Sequence, residues 1–143
     1  MATFRRGYAN VTANIDTLVI THDVKRAFSE SNLQAGIVLV FMPIGSTGVT
    51  LLENDPKIHE DFKKWIETQV PATTEKRPDR RSGSGRSFAH LRAKLVGYSV
   101  QIPVAEGKLQ MSPWQEVVLY DFDDKIGRRE FFILVTGEGG GGG

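Results

Sequence analysis

The sequence predicts a single α+β domain, and three observations lead to this fold class. Stretches rich in Val, Ile, Thr and Tyr indicate some eight strands, whereas only two or three segments have the apolar spacing of helices. The two kinds of element do not alternate regularly, as they do in a parallel α/β fold. The 143 residues suffice for one domain whose core folds without disulfides or metals.

Eight strands are predicted from their composition and from the turns between them. They cover residues 3–12, 14–20, 37–41, 49–52, 98–103, 108–111, 115–122 and 129–136. The first two are expected to pair with each other, and residues 123–127 to join the last two as a hairpin. After the second strand, Thr21 offers an N-cap to a short helix over residues 23–28, and Gly36 is expected to end this unit.

The second helix is marked at both of its ends. It is predicted to begin at Pro56, because Asn54 or Asp55 can cap it and proline suits the first helical turn. An apolar stripe continues to Val70, and Pro71 stops the helix.

The segment of residues 72–87 is predicted to be a loop that leads into a third helix, over residues 88–96 and ending at Gly97. Residues 75–94 carry seven basic and two acidic side chains, although the net charge of the whole chain is only +1. Arginine side chains and the N–H groups of a helix start are suited to binding an anion. A solvated loop that only keeps the protein soluble is the other interpretation of this composition.

Composition and spacing exclude several functional classes. The chain has no cysteine, which rules out disulfides, thiolate zinc sites and cysteine nucleophiles. His22, His59 and His90 do not have the three- or four-residue spacing that places two metal ligands on one helix face. No apolar run approaches the ~20 residues of a membrane span, and the first ten residues lack a signal-peptide core. We therefore expect a cytoplasmic protein without a membrane partner, and the near-neutral charge disfavours nucleic acid as a partner.

A few positions carry groups that are able to perform chemistry. The stretch Gly45–Gly48 follows a buried strand and allows close approach of a ligand, although a structural turn is the alternative and the spacing is not that of a P-loop. Glu53 is a candidate general base, metal ligand or helix-start residue, and His90 is a candidate acid or base or a packed core residue. Trp114 and Gln115 at a strand start are typical of a core or an interface. No nucleophile–histidine–acid set is apparent.

These features, in this order, resemble the YjbQ-like family over residues 20–138. The segment Ala89–Gly97 is similar to the family's helix motif SH(L/V)(R/K)AxLxG. The stretch of residues 100–110 looks like its hairpin motif VPV…GxLQ, and Trp114-Gln115 falls on the WQ pair that follows. Residues 120–129 match its ending DFD…RR.

The resemblance implies a compact domain over residues 1–137 that forms a homotrimer, before a glycine-rich tail of residues 138–143 to which we assign no function. It also implies secondary thiamine-phosphate synthase activity, in which a thiazole phosphate is joined to a pyrimidine diphosphate with loss of pyrophosphate. The expected function is therefore that of a transferase acting on a phosphorylated small molecule. The alternative is a non-catalytic trimeric protein that binds a ligand or an anion at a degenerate active site.

The resemblance also implies roles for particular residues. His90 is expected to act as acid or base, with Glu53 orienting it. The residues expected to bind the phosphate are Ser46, Thr47, Arg86 and Arg92. Trp114 and Gln115 are expected at or near the subunit contact.

No cofactor is expected, and a metal is expected to be absent or weakly held. Many family members use histidines between subunits, in an HTTA or HTSA stretch and in an NxHxH helix motif. Gly45 and Phe88 stand here where such ligands stand in relatives, and Arg86 replaces the asparagine. Because His90 and Glu53 alone would hold a divalent ion weakly, we expect an anion in its place.

Overall fold

The computed structural model describes residues 2–11, 16–72, 87–123 and 126–139, which contain three helices and eight strands. The helices are α1 (Thr21–Ser31), α2 (Pro56–Gln69) and α3 (Ser87–Val96). The strands are β1 (Ala2–Val11), β2 (Asp16–Val19), β3 (Leu33–Phe41), β4 (Thr47–Glu53), β5 (Ser99–Ala105), β6 (Lys108–Leu109), β7 (Gln115–Asp121) and β8 (Gly127–Gly139). The predicted α+β class is confirmed, and none of the described helices is long and apolar enough to cross a membrane.

Two antiparallel sheets form the framework. The five-stranded sheet has the order β1-β8-β3-β5-β6, and the three-stranded sheet has the order β2-β7-β4. One core lies between the two sheets and also takes in the buried side of α1, with Val24, Val38 and Leu119 among its members. A second core lies between the other face of the three-stranded sheet and helices α2 and α3, around Ile66 and Tyr120. The three-stranded sheet is therefore the middle layer of the fold.

Two predicted strand pairings were wrong. β1 pairs with β8 and β2 pairs with β7, so the first two strands lie in different sheets. β7 and β8 also lie in different sheets and do not form a hairpin. The physical reason is burial: Val117 to Asp121 are all buried, so both faces of β7 must be covered. β8 buries only alternate side chains, which suits a sheet with one exposed face.

The ends of α1 differ from the prediction, whereas those of α2 confirm it. Asp55 caps α2 by accepting a hydrogen bond from the Lys57 backbone N–H at 2.9 Å, and Pro56 is its first residue. Thr21 does not cap α1, because its hydroxyl oxygen accepts a hydrogen bond from the Val117 N–H at 2.8 Å. This bond fixes the start of α1 against β7 instead.

Gly36 does not end the first helical unit, as had been expected. The chain leaves α1 at Asn32, which has the left-handed φ of 55°, and β3 continues through Gly36. A Cβ atom on Gly36 would collide with the carbonyl oxygen of Thr136, so glycine permits the close approach of β3 and β8. β8 extends to Gly139 and thus includes the first two residues of the predicted tail; residues 140–143 lie outside the described part.

Candidate functional site

Helix α3 packs closely on the three-stranded sheet. A Cβ atom on Gly48 would stand 2.9 Å from the carbonyl oxygen of Gly97 and 2.8 Å from the side chain of Val96. The missing side chain of Gly48 thus allows the end of α3 to approach β4. As a result, the helix lies beside the turn of residues 44–47, which Thr47 closes with a backbone hydrogen bond of 3.0 Å to Ile44.

His90 contacts this turn. A Cβ atom on Gly45 would stand 3.0 Å from Nδ1 and 3.2 Å from Cε1 of the His90 ring. The fold therefore brings together two features that are 45 positions apart in the sequence. The small-residue turn and the candidate acid or base form one surface.

Lys94 and Tyr98 complete this surface, and the sequence prediction missed both. The Tyr98 hydroxyl donates a hydrogen bond to the Gly45 carbonyl at 3.1 Å, and Lys94 Nζ donates to the Tyr98 hydroxyl at 3.3 Å. The four-residue spacing of His90 and Lys94 was the available signal, because it places both on one face of α3. We call Gly45, His90, Lys94 and Tyr98 the His90 cluster.

Ser46 and Thr47 belong to the same turn, but both are buried. The Thr47 hydroxyl donates to the Ile44 carbonyl at 2.7 Å, which stabilises the turn. Thr47 pairs with Asp121 across the sheet, and directly paired residues share one face. Because the next residue, Gly48, faces α3, the Thr47 side chain lies on the opposite face of the three-stranded sheet.

Arg92 lies on another side of α3 from the His90 cluster. Its side chain is 2% exposed, its Nε donates to the Val70 carbonyl at 2.9 Å, and its guanidinium lies 5.0 Å from the centre of the Phe88 ring. Burial lowers the pKa of Arg92, while the charge of nearby Glu67 opposes this effect. Arg92 thus joins α3 to the end of α2. Arg86 and most of the basic stretch of residues 75–94 lie outside the described residues.

Glu53, Trp114 and Gln115 lie at the other end of the three-stranded sheet. Glu53 is exposed as the last residue of β4 and pairs with Gln115, whose side-chain oxygen accepts a hydrogen bond from Ser112 N–H at 2.9 Å. Glu53 follows Thr47 by six positions, which at ~3.3 Å per residue places them roughly 20 Å apart. One chain therefore does not bring Glu53 to His90. Trp114 is 71% exposed beside this end.

Comparison with known proteins identifies the family. The sequence profile of the family described as "UPF0047 protein YjbQ-like" matches residues 7–138. This chain is a member of that family. The expected family is thereby confirmed.

The YjbQ-like protein is 32% identical over 120 residues to a UPF0047 protein of Methanocaldococcus jannaschii, and the match covers 83% of each chain. It is 28% identical to UPF0047 protein YugU of Bacillus subtilis, over 78% of this chain and 83% of that one. A solved YjbQ/UPF0047 family structure from Clostridium acetobutylicum superposes with a TM-score of 0.79 at 29% identity, covering 92% of this chain and 99% of that one. A YbjQ-like protein of unknown function from Sulfolobus solfataricus, 24% identical with a TM-score of 0.85, shares the fold over 96% of this chain and 99% of that one.

Within one chain, the donor set that the described residues offer does not fit a resident divalent ion. The Phe88 ring is buried against Arg92 and offers no ligand atom. Among the described residues, no three His, Asp or Glu side chains are grouped to hold a metal. The buried Asp121 carboxylate is instead paired with Arg129 at 3.1 Å. Burial raises the pKa of Asp121, and the hydrogen bond from Arg129 opposes that rise.

Proposed function

We propose that this YjbQ-like protein acts on a phosphorylated small molecule at the His90 cluster, as a secondary thiamine-phosphate synthase. The observation that carries the proposal is the contact between the His90 ring and Gly45, which presents a titratable imidazole beside a turn without a side chain. The absence of a side chain on Gly45 leaves room for the His90 ring, so the imidazole lies directly against the turn. Lys94 adds a positive charge on the same face of α3.

The reaction joins two substrates without any redox step. The ring nitrogen of the thiazole phosphate forms a bond to the methylene carbon of the pyrimidine diphosphate. The carbon–oxygen bond to the diphosphate breaks, its electron pair leaves with the oxygen, and pyrophosphate is released. His90 donates a proton to the departing oxygen, a contribution that in enzymes is typically worth about 10²- to 10⁴-fold in rate.

We further propose that the active form is a homotrimer in which each site is shared. Two exposed apolar features support self-association: Trp114, and the outer face of the five-stranded sheet, where a shallow cavity of about 190 Å³ is present. The residues that line this cavity are Phe4, Leu39, Phe41, Phe132 and Leu134. In a ring, one end of each subunit meets the opposite end of the next. Such a contact lets Glu53 of one subunit orient His90 of its neighbour.

An activity assay with both substrates tests the catalytic proposal. Wild type is expected to form thiamine phosphate and pyrophosphate, and His90→Ala to lose at least about a hundredfold in rate. The matched control is His22→Ala, because His22 is an exposed histidine on α1. Equal rates for wild type and His90→Ala would contradict the proposal.

Mixed trimers test the shared site. His90→Ala chains and Glu53→Gln chains are co-expressed with different tags, and trimers that contain both are purified. If the site is shared, one of the three sites in every purified mixed trimer has an intact His90 and an intact Glu53 from neighbouring subunits. We expect that fraction of activity to return. No recovery, or full activity in Glu53→Gln alone, would contradict the sharing.

A second candidate is the non-catalytic trimer that binds a ligand or an anion. It is favoured by Phe88, whose buried ring offers no ligand atom, and by the separation of Glu53 from His90 within one chain. It predicts that pyrophosphate binds to wild type and more weakly to His90→Ala, while no thiamine phosphate forms. Turnover by wild type would exclude this candidate.

A further inference from the structure

The anion site needs a positive charge, and Arg92 is not arranged to supply it. The Nε of Arg92 is bonded to Val70 on α2, and its guanidinium packs on Phe88. A ligand at the His90 cluster would lie on the other side of α3. Another cation must face that ligand.

Lys94 occupies the required position. It lies one helical turn after His90, so both side chains project from the same face of α3. An ammonium group carries three donors, and one of them is bonded to the Tyr98 hydroxyl. Among the described residues, no acceptor is bonded to the other two, which are able to face a ligand at the Gly45 turn.

Tyr98 limits the freedom of this lysine. Its hydroxyl donates to the Gly45 carbonyl and accepts from Lys94, which ties the ammonium to the turn through two hydrogen bonds. The Tyr98 ring packs against both hydrophobic cores, and Lys94 Nζ lies 5.7 Å from the centre of that ring. A lysine held in this way loses less side-chain entropy when it binds an anion than a free surface lysine does.

We infer that Lys94 binds the phosphate of a phosphate monoester or diphosphate at the His90 cluster, and that Tyr98 is its positioning residue. This inference rests on the proposed function, since it assigns the cation of the same site. The phosphate oxygens accept hydrogen bonds from the ammonium, and His90 stands beside the bridging oxygen. The alternative is that Lys94 is an ordinary exposed lysine whose contact with Tyr98 has no functional role.

Titration calorimetry with inorganic pyrophosphate distinguishes a phosphate-binding Lys94 from an exposed lysine without this role. Lys94→Met is expected to weaken binding about ten- to a hundredfold and to flatten its salt dependence, because a charge-assisted hydrogen bond is lost. Lys94→Arg is expected to restore part of the affinity. Tyr98→Phe is expected to weaken binding while it preserves the salt dependence, since the charge remains.

Lys108→Met is the matched control, because Lys108 is an exposed lysine on β6. Melting temperatures of all variants show whether each has folded. If Lys94→Met binds as tightly as wild type while His90→Ala does not, the role of Lys94 is refuted and the proposed function stands. If wild type itself binds no pyrophosphate, both are refuted.

Discussion

The guanidinium of Arg129 on β8 is paired with the carboxylate of Asp121 on β7, and this ion pair joins the two sheets. Nε of Arg129 lies 3.1 Å from Oδ1 of Asp121, and both side chains are buried. Removal of the Asp121 carboxylate takes away the counter-ion that is paired with the buried guanidinium of Arg129. Asp121→Asn is therefore expected to lower the free energy of unfolding by about 3–5 kcal/mol, measured by urea denaturation at a fixed protein concentration.

The double variant Asp121→Leu/Arg129→Met provides the control. Because it removes both charges together, it is expected to be more stable than the single variant. A loss of less than about 1 kcal/mol in Asp121→Asn would show that the pair does not hold the sheets together.

The elements that were predicted well depend on local chemistry. The bounds of α2 follow from Asp55, Pro56 and Pro71, which act on the backbone within a few residues. The end of α3 follows from Gly97, whose φ of +99° suits glycine. Strand pairing is different, because β7 finds its place by the burial of both its faces against elements distant in sequence.

The features of the candidate site also differ in whether the local sequence could predict them. No local signal links His90 to Gly45, since their contact depends on how α3 packs against β4. The orientation of Arg92 did have a local signal, because it follows Phe88 by four residues and shares its buried face. If residues 88–94 are helical, Arg92 lies on a different face of the helix from His90 and Lys94.

Gly45→Ala is expected to disturb the His90 ring more than the fold. The new Cβ would stand 3.0 Å from Nδ1, so the half-buried ring must move by a few tenths of an ångström. We expect weaker pyrophosphate binding and a shifted His90 ring resonance in NMR spectra, with a stability loss of about 1 kcal/mol.

Gly48→Ala serves as the comparison, because its Cβ would meet the backbone oxygen of Gly97 at 2.9 Å. It is expected to destabilise the protein more than Gly45→Ala does. An unchanged His90 resonance in Gly45→Ala would contradict the contact.

Tyr120 is expected to lower the free energy of unfolding at alkaline pH. Burial raises its pKa from 10.0 to about 12, so the unfolded chain releases the phenolic proton first. The stabilisation that results from the raised pKa of Tyr120 is complete below pH 10 and is lost as the pH rises towards 12. By pH 11 the loss is about 1.4 kcal/mol, which one pKa unit represents.

Denaturation of Tyr120→Phe between pH 8 and 11 measures this effect. The variant retains the ring contacts with Phe62 and Phe122, but it should lose less stability than wild type as the pH rises. Tyr8→Phe, at a half-exposed ring, is expected to follow wild type. Parallel curves for wild type and Tyr120→Phe would refute the assignment.

No stoichiometric zinc is expected to bind. Phe88 supplies no donor atom, and Gly45 has no side chain. The measurement is elemental analysis of metal-free protein that has been reloaded with zinc and desalted. One tightly held ion per chain would contradict this expectation, and loss of any bound zinc in His90→Ala would then locate it.

The wild-type protein is expected to have three times its chain mass of 15.9 kDa in light scattering at micromolar concentration. The apolar outer face of the five-stranded sheet provides a basis for this assembly. Phe132 lies near its centre, with its ring centre 5.1 Å from that of Phe4 and 6.5 Å from that of Phe41. Phe132→Glu places a charge among these rings and is expected to yield monomers, because burial of an unpaired carboxylate is costly.

Two further variants test whether the trimer contact lies on this face or at other exposed apolar residues. Trp114→Ala is expected to weaken the trimer, since a large exposed tryptophan is typical of an interface contact. Ile126→Glu, at a side chain 73% exposed and next to β8, is expected to leave the mass unchanged. A monomeric wild type would end the trimer proposal. A trimeric Phe132→Glu would move the contact away from this sheet, because a carboxylate on each subunit would not be tolerated within a packed apolar interface.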